Sequence, residues 1–133
     1  MTLDRARAEV PYDILQPHDA LANPDNLKAV WKCPAKAVRL EYESGVDVVI
    51  DVNTIRDPEA SWKRPAQDDP NVYSTGMVRG VLANLIDPAG DPTGEALGGV
   101  TLVENALYVS VGGNGSIPLD RLIQITESLR RDQ

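Results

Sequence analysis

The sequence predicts an α+β domain: a mostly antiparallel, curved sheet of about six or seven strands, covered by a C-terminal helix and preceded by a short N-terminal helix. Three stretches predict it. Ala37–Tyr42 and Val46–Val52 alternate apolar and polar residues on either side of Ser44-Gly45, the pattern of an antiparallel hairpin. Val100–Val103 and Ala106–Val111 form a second pair, followed by the glycine-rich run Gly112-Gly113-Asn114-Gly115. From about Pro118 to Arg131, Leu119, Leu122, Ile123, Thr126 and Leu129 recur at the i, i+3, i+4, i+7 spacing of one buried helix face. Asp120 in the first turn and Arg130 and Arg131 at the end suit the helix macrodipole.

The remaining elements follow in order. Thr2 is placed to N-cap a helix from Leu3 to about Glu9, with Leu3, Ala6 and Val10 toward the core, and Pro11 ends it. Tyr12–Leu15 reads as a short strand. Gln16–Asn26, punctuated by Pro17 and Pro24, reads as a loop. Leu27–Trp31 is a strand with Leu27, Ala29 and Trp31 on one face and Lys28 and Lys32 on the other. In the central hairpin Val38, Leu40, Tyr42, Val46, Val48, Ile50 and Val52 point inward. Asn53–Tyr73 is long, polar and proline-bearing, an exposed loop of a length that is often functional. Gly76–Ile86 returns to strand, and Asp87–Glu95 is a turn-rich connection. No repeat of fixed period interrupts this order.

Composition narrows the possible roles. The 133 residues suit one domain, 1–133, that buries roughly two-thirds of its unfolded surface. Without a single Phe, the core must be built from Val, Leu, Ile and Ala. A net charge of −7 disfavours nucleic acid and anionic membrane surfaces, both of which are bound through Lys and Arg. The lone Cys33 allows no internal disulfide and no cysteine-based zinc site. Residues 1–5 have no apolar signal-peptide core, and no run approaches the ~20 apolar residues of a membrane span.

The order of elements resembles a known class. Thr2–Arg7 leads into Val10-Pro11-Tyr12, a proline loop, the strand Ala37–Tyr42 and the stretch Val78-Arg79-Gly80-Val81. The chain closes on Ile117-Pro118-Leu119-Asp120-Arg121-Leu122-Ile123-Gln124-Ile125-Thr126-Glu127-Ser128-Leu129. This is similar to uncharacterised extracytoplasmic domains of bacterial lipoproteins and of anti-sigma-factor-like, membrane-anchored proteins. The resemblance spans most of the chain and is sharpest in the terminal helix. It implies a soluble fragment of a longer envelope protein, with a sensing, docking or other envelope-associated role. Membrane attachment would come only through a segment outside this chain. The resemblance brings no catalytic residue and no cofactor.

Chemistry-bearing patterns are few. Gly112–Ser116 before a helix suggests a phosphate loop, yet matches neither the P-loop spacing nor a dinucleotide fingerprint; a turn needing positive φ explains it. Asp87, Asp91 and Glu95 lack the spacing of a calcium loop and read as solvated charge. Asp47 and Asp51 project alike from one strand but about 13 Å apart, too far to share one bond. His18 has no nucleophile-elbow serine to serve, and reads as a surface histidine. Cys33, between Lys32 and Pro34, reads as a half-buried structural thiol. Trp62, flanked by Lys63 and Arg64 in the long polar loop, is the candidate contact for a partner protein or a small envelope ligand; the alternative is that Trp62 covers a sheet edge.

The expected function is therefore a non-enzymatic extracytoplasmic binding or sensing domain, with no metal and no cofactor. The alternative is a lipid- or hydrophobe-binding carrier with an apolar cavity under the sheet. An enzyme would need His18 or Cys33 in a cleft beside a carboxylate.

Overall fold

The computed structural model describes residues 1–33, 37–54, 71–90, 98–113 and 117–131. Helix α1 (Leu3–Glu9) is followed by β1 (Leu15–Gln16) and β2 (Leu27–Cys33). Then come β3 (Ala37–Glu43), β4 (Asp47–Thr54), β5 (Tyr73–Val78), β6 (Val81–Ile86), β7 (Gly99–Glu104) and β8 (Leu107–Gly113). Helix α2 (Leu119–Glu127) and β9 (Arg130–Arg131) close the chain. Seven strands form one sheet in the order β2-β3-β4-β8-β7-β6-β5, and every neighbouring pair is antiparallel. The sheet is two meanders, β2–β4 and β5–β8, stitched together where β4 meets β8. The α+β class, the antiparallel sheet and the two helices agree with the sequence.

Alternation decides which face is inside. Val38, Leu40, Tyr42, Val48, Ile50, Val52, Val100, Leu102, Val109 and Val111 are fully buried, and each occupies every second position of its strand. Helix α2 lies over the β5, β7 and β8 side of that inner face. Ala6 of α1, with Val10, Ile14, Leu15 and Ala22 from the segment after it, joins the same core. Thr2 Oγ1 caps α1 by accepting from the Arg5 N–H, as the sequence indicates. Thr126 is buried in α2 and satisfied locally, its hydroxyl donating to the Leu122 carbonyl at 2.8 Å.

Several boundaries differ from expectation. Helix α2 ends at Glu127 rather than Arg131, because Arg130 and Arg131 pair with Gln16 and Leu15 to make a ribbon that ties the two chain ends together. Its buried face is Leu122, Ile125 and Thr126, with Leu129 just beyond, whereas Ile123 is only partly buried. Gly76–Ile86 is two strands, because Arg79 and Gly80, both at positive φ, turn the chain back on itself. In β2 a register shift between Leu27 and Ala29 moves Leu27 to the inner face, and leaves Ala29 and Trp31 on the outer one. The expected strand at 12–15 shrinks to Leu15–Gln16. Ala106 sits in a turn at φ 62°, not in a strand. Gly112 and Gly113 are ladder residues of β8, not turn residues at positive φ.

Candidate binding surface

The outer face of the sheet is assembled by the register. One row runs across all seven strands: Trp31, Arg39, Asp51, Ser110, Thr101, Asn84 and Thr75, each paired with the next. Apart from Trp31, every member of the row is polar. Arg39 Nε donates to Asp51 Oδ1 at 2.7 Å and its Nη2 to Oδ2 at 3.3 Å, a bidentate pair. The Thr101 and Ser110 hydroxyls lie 3.4 Å apart. Asp51 is thus held by an arginine.

The large apolar side chains on this face are the unusual part. Trp31 is 55% exposed, Met77 66% and Leu82 47%, and Met77 and Leu82 are cross-strand partners. Among the described residues only Met1 joins them as an exposed large hydrophobic. Scattered exposed hydrophobics are ordinary, but these three share one face of one sheet. The sequence missed Trp31 because a strict alternation from Leu27 puts it beside core residues; the bulge after Leu27 could not be seen in the pattern.

Arginines anchor the covering layer. Arg79 Nε and Nη2 donate to the two carboxylate oxygens of Glu104 at 2.9 and 3.0 Å, and Nη1 donates to the carbonyls of Leu129 at 2.7 Å and Thr126 at 3.3 Å. The Arg79 N–H donates to Glu127. The side chains of Arg79 and Glu104 are only 16% and 20% exposed. One guanidinium therefore satisfies the terminal carbonyls of α2, favours the negative end of its dipole, and ties the β5–β6 turn to β7. Arg121 similarly joins α2 to the loop before β2, reaching Asp19 at 2.7 Å.

A cleft of about 190 Å³ opens beside the Arg79–Glu104 pair, lined by Tyr12, Asp13, Leu15, Glu104, Asn105, Leu107 and Arg131. Its charges have partners: Arg131 lies 3.4 Å from Asp13, and Glu104 is taken by Arg79. His18 does not line it, and the side chain of Cys33 lies outside the described ones. His18 is half-buried, and its backbone N–H donates to Ser128 Oγ at 3.0 Å. Asp87 accepts from the Ala89 N–H at 3.0 Å, a turn-forming role. Among the described residues no three His, Cys, Asp or Glu side chains gather as a metal site would require. No helix among them is long and apolar enough to cross a membrane. Lys28 is held above its ordinary pKa by its hydrogen bond to Glu43, then by the charge of that carboxylate. That pair contributes only while Lys28 is charged and Glu43 is ionised, and it is lost as pH rises through the raised lysine value, an alkaline effect kept small by solvent.

Trp62, Lys63 and Arg64 lie outside the described residues, as do Asp91, Glu95 and Asn114–Ser116. No family model, no curated protein and no solved structure matches the chain.

Proposed function

We propose that this chain is a non-enzymatic extracytoplasmic binding or sensing domain of a bacterial envelope protein, and that it meets its partner with the outer face of the sheet. The observation that carries the reading is the placement of Trp31, Met77 and Leu82 on that one face, around a polar row whose only charges neutralise each other. Exposed aromatic and apolar anchors within a polar surround are the usual composition of a protein-recognition patch. Envelope location rests on the resemblance of Thr2–Tyr12 and of the closing segment Ile117–Leu129 to extracytoplasmic domains. Trp62, Lys63 and Arg64 are proposed as further contacts from their own chemistry.

Capture from bacterial envelope extracts tests this. The wild-type domain is expected to retain a specific protein. Trp31→Ala with Leu82→Ser is expected to weaken retention at least tenfold, with an unchanged circular dichroism spectrum. Equal retention by the double variant would remove the outer face from the account, and Trp62→Ala tests the loop separately. The second reading, a carrier of apolar ligands, calls for a cavity of roughly 300 Å³ or more under the sheet. Binding of a fluorescent fatty acid would favour it.

A further inference from the structure

The two edges of the seven-stranded sheet are finished differently. β2, at one edge, carries Lys28 and Lys32, and its register is broken between Leu27 and Ala29. The Met1 ammonium donates to its Val30 carbonyl at 3.3 Å, and α1 packs against it. Charge, a bulge and a covering segment are the devices that stop an edge from accepting another strand. β5, at the opposite edge, reads Tyr73-Ser74-Thr75-Gly76-Met77-Val78, with no charge and no proline. Its ladder with β6 is unbroken over all six residues, and among the described residues no strand lies on its other side. Ser74 and Thr75 are exposed, and Met77 is the most exposed large hydrophobic of the described chain.

Charge permits a second copy at this edge and, among the described strands, nowhere else so readily. The chain carries a net −7, so two copies repel over most of their surface. The β5–β6 hairpin, residues 73–86, contains no acidic residue, and the guanidinium of its one cation, Arg79, is already paired with the Glu104 carboxylate. It is a neutral edge on an acidic molecule.

We propose that β5 pairs antiparallel with β5 of a second copy, joining the two sheets across a two-fold axis that passes through Thr75. Opposed residues of an antiparallel pair share a face, so the axis must pass through a residue and not between two. With the axis at Thr75, Thr75 faces its own copy, and Met77 faces Tyr73 of the second copy at both ends of the pair. On the other face Ser74 meets Gly76. Threonine pairs and thioether–aromatic contacts both favour such an arrangement. An axis at Gly76 would instead set Gly76 against Gly76, and Tyr73 against the already engaged Arg79. A single strand pair buries less than a standard interface, so the dimer is weak, with a dissociation constant of roughly micromolar or above. The two readings share Met77 but are separable by variant: Trp31→Ala, on the far edge of the sheet, is expected to leave the dimer intact.

Sedimentation velocity from about 1 µM to 1 mM tests it. The wild type is expected to pass from monomer to dimer. Thr75→Lys and Thr75→Glu, each verified as folded by circular dichroism and thermal melting, are each expected to stay monomeric, because each sets like charges against one another at the axis. Their equimolar mixture is expected to dimerise, because Lys then meets Glu. A wild type that is monomeric throughout overturns the proposal, whether or not β5 takes up a peptide from an extract. So does a dimer indifferent to Thr75→Lys, or a mixture that stays monomeric.

Discussion

Single residues carry the sharpest tests of this fold. Ala106 adopts φ 62° in the two-residue turn between β7 and β8, a conformation that costs a residue with a Cβ about 1–2 kcal/mol. Ala106→Gly is therefore expected to raise stability by roughly 0.5–1 kcal/mol in urea melts; a loss of stability would contradict the turn. Arg79 also sits at positive φ, 54°, where glycine or asparagine is the ordinary choice. Its side chain explains the exception, since it bridges Glu104 and the carbonyls ending α2. Arg79→Ala should cost about 2 kcal/mol after allowance for partial exposure, and Arg79→Lys should recover little, because a point charge cannot reproduce the fork. Recovery of full stability by lysine would show that charge alone matters. Residues 78–81 read as uninterrupted strand in the sequence, because the turn signal Arg-Gly is weak. The partners that make it work are 25 to 50 positions away in the chain.

At the scale of elements, what was legible followed local period. The hairpin of β3 and β4 shows strict alternation around Gly45, and the burial of Val38, Leu40, Tyr42, Val48, Ile50 and Val52 follows it. α2 was legible as a helix but not in its rotation. Ile123 and Ile125 are both apolar, so two overlapping stripes fit the sequence, and packing on β7 and β8 selects the one through Ile125. Ile125→Ala is accordingly expected to cost about 3 kcal/mol and Ile123→Ala about 1 kcal/mol, measured by chemical denaturation. The reverse order would mean that the helix is turned. The C-terminal arginines look like helix-closing cations, yet they form β9, because ladder partners in Leu15 and Gln16 are available only once the chain ends meet. Gly98 shows the same dependence on tertiary contact: a Cβ there would come within 2.7 Å of Leu122 Cδ1, so a larger residue just before β7 would require that side chain of α2 to shift.

At the scale of the whole molecule, the sheet divides the labour between its faces. The inner face is aliphatic apart from Tyr42, and is closed by α2 and the N-terminal segment. The outer face carries a polar row with Trp31 at one edge and Met77 and Leu82 near the other. Of the candidate contacts, Trp62, Lys63 and Arg64 stand out by sequence alone. Trp31 does not, because its exposure depends on one bulge in β2. The most direct measurement of the outer-face reading is tryptophan fluorescence of a Trp62→Phe variant, in which Trp31 is the sole indole. Addition of the protein captured from envelope extracts is predicted to shift its emission to the blue and to shield it from acrylamide quenching. Unchanged emission and quenching, with capture intact, would show that the partner binds elsewhere.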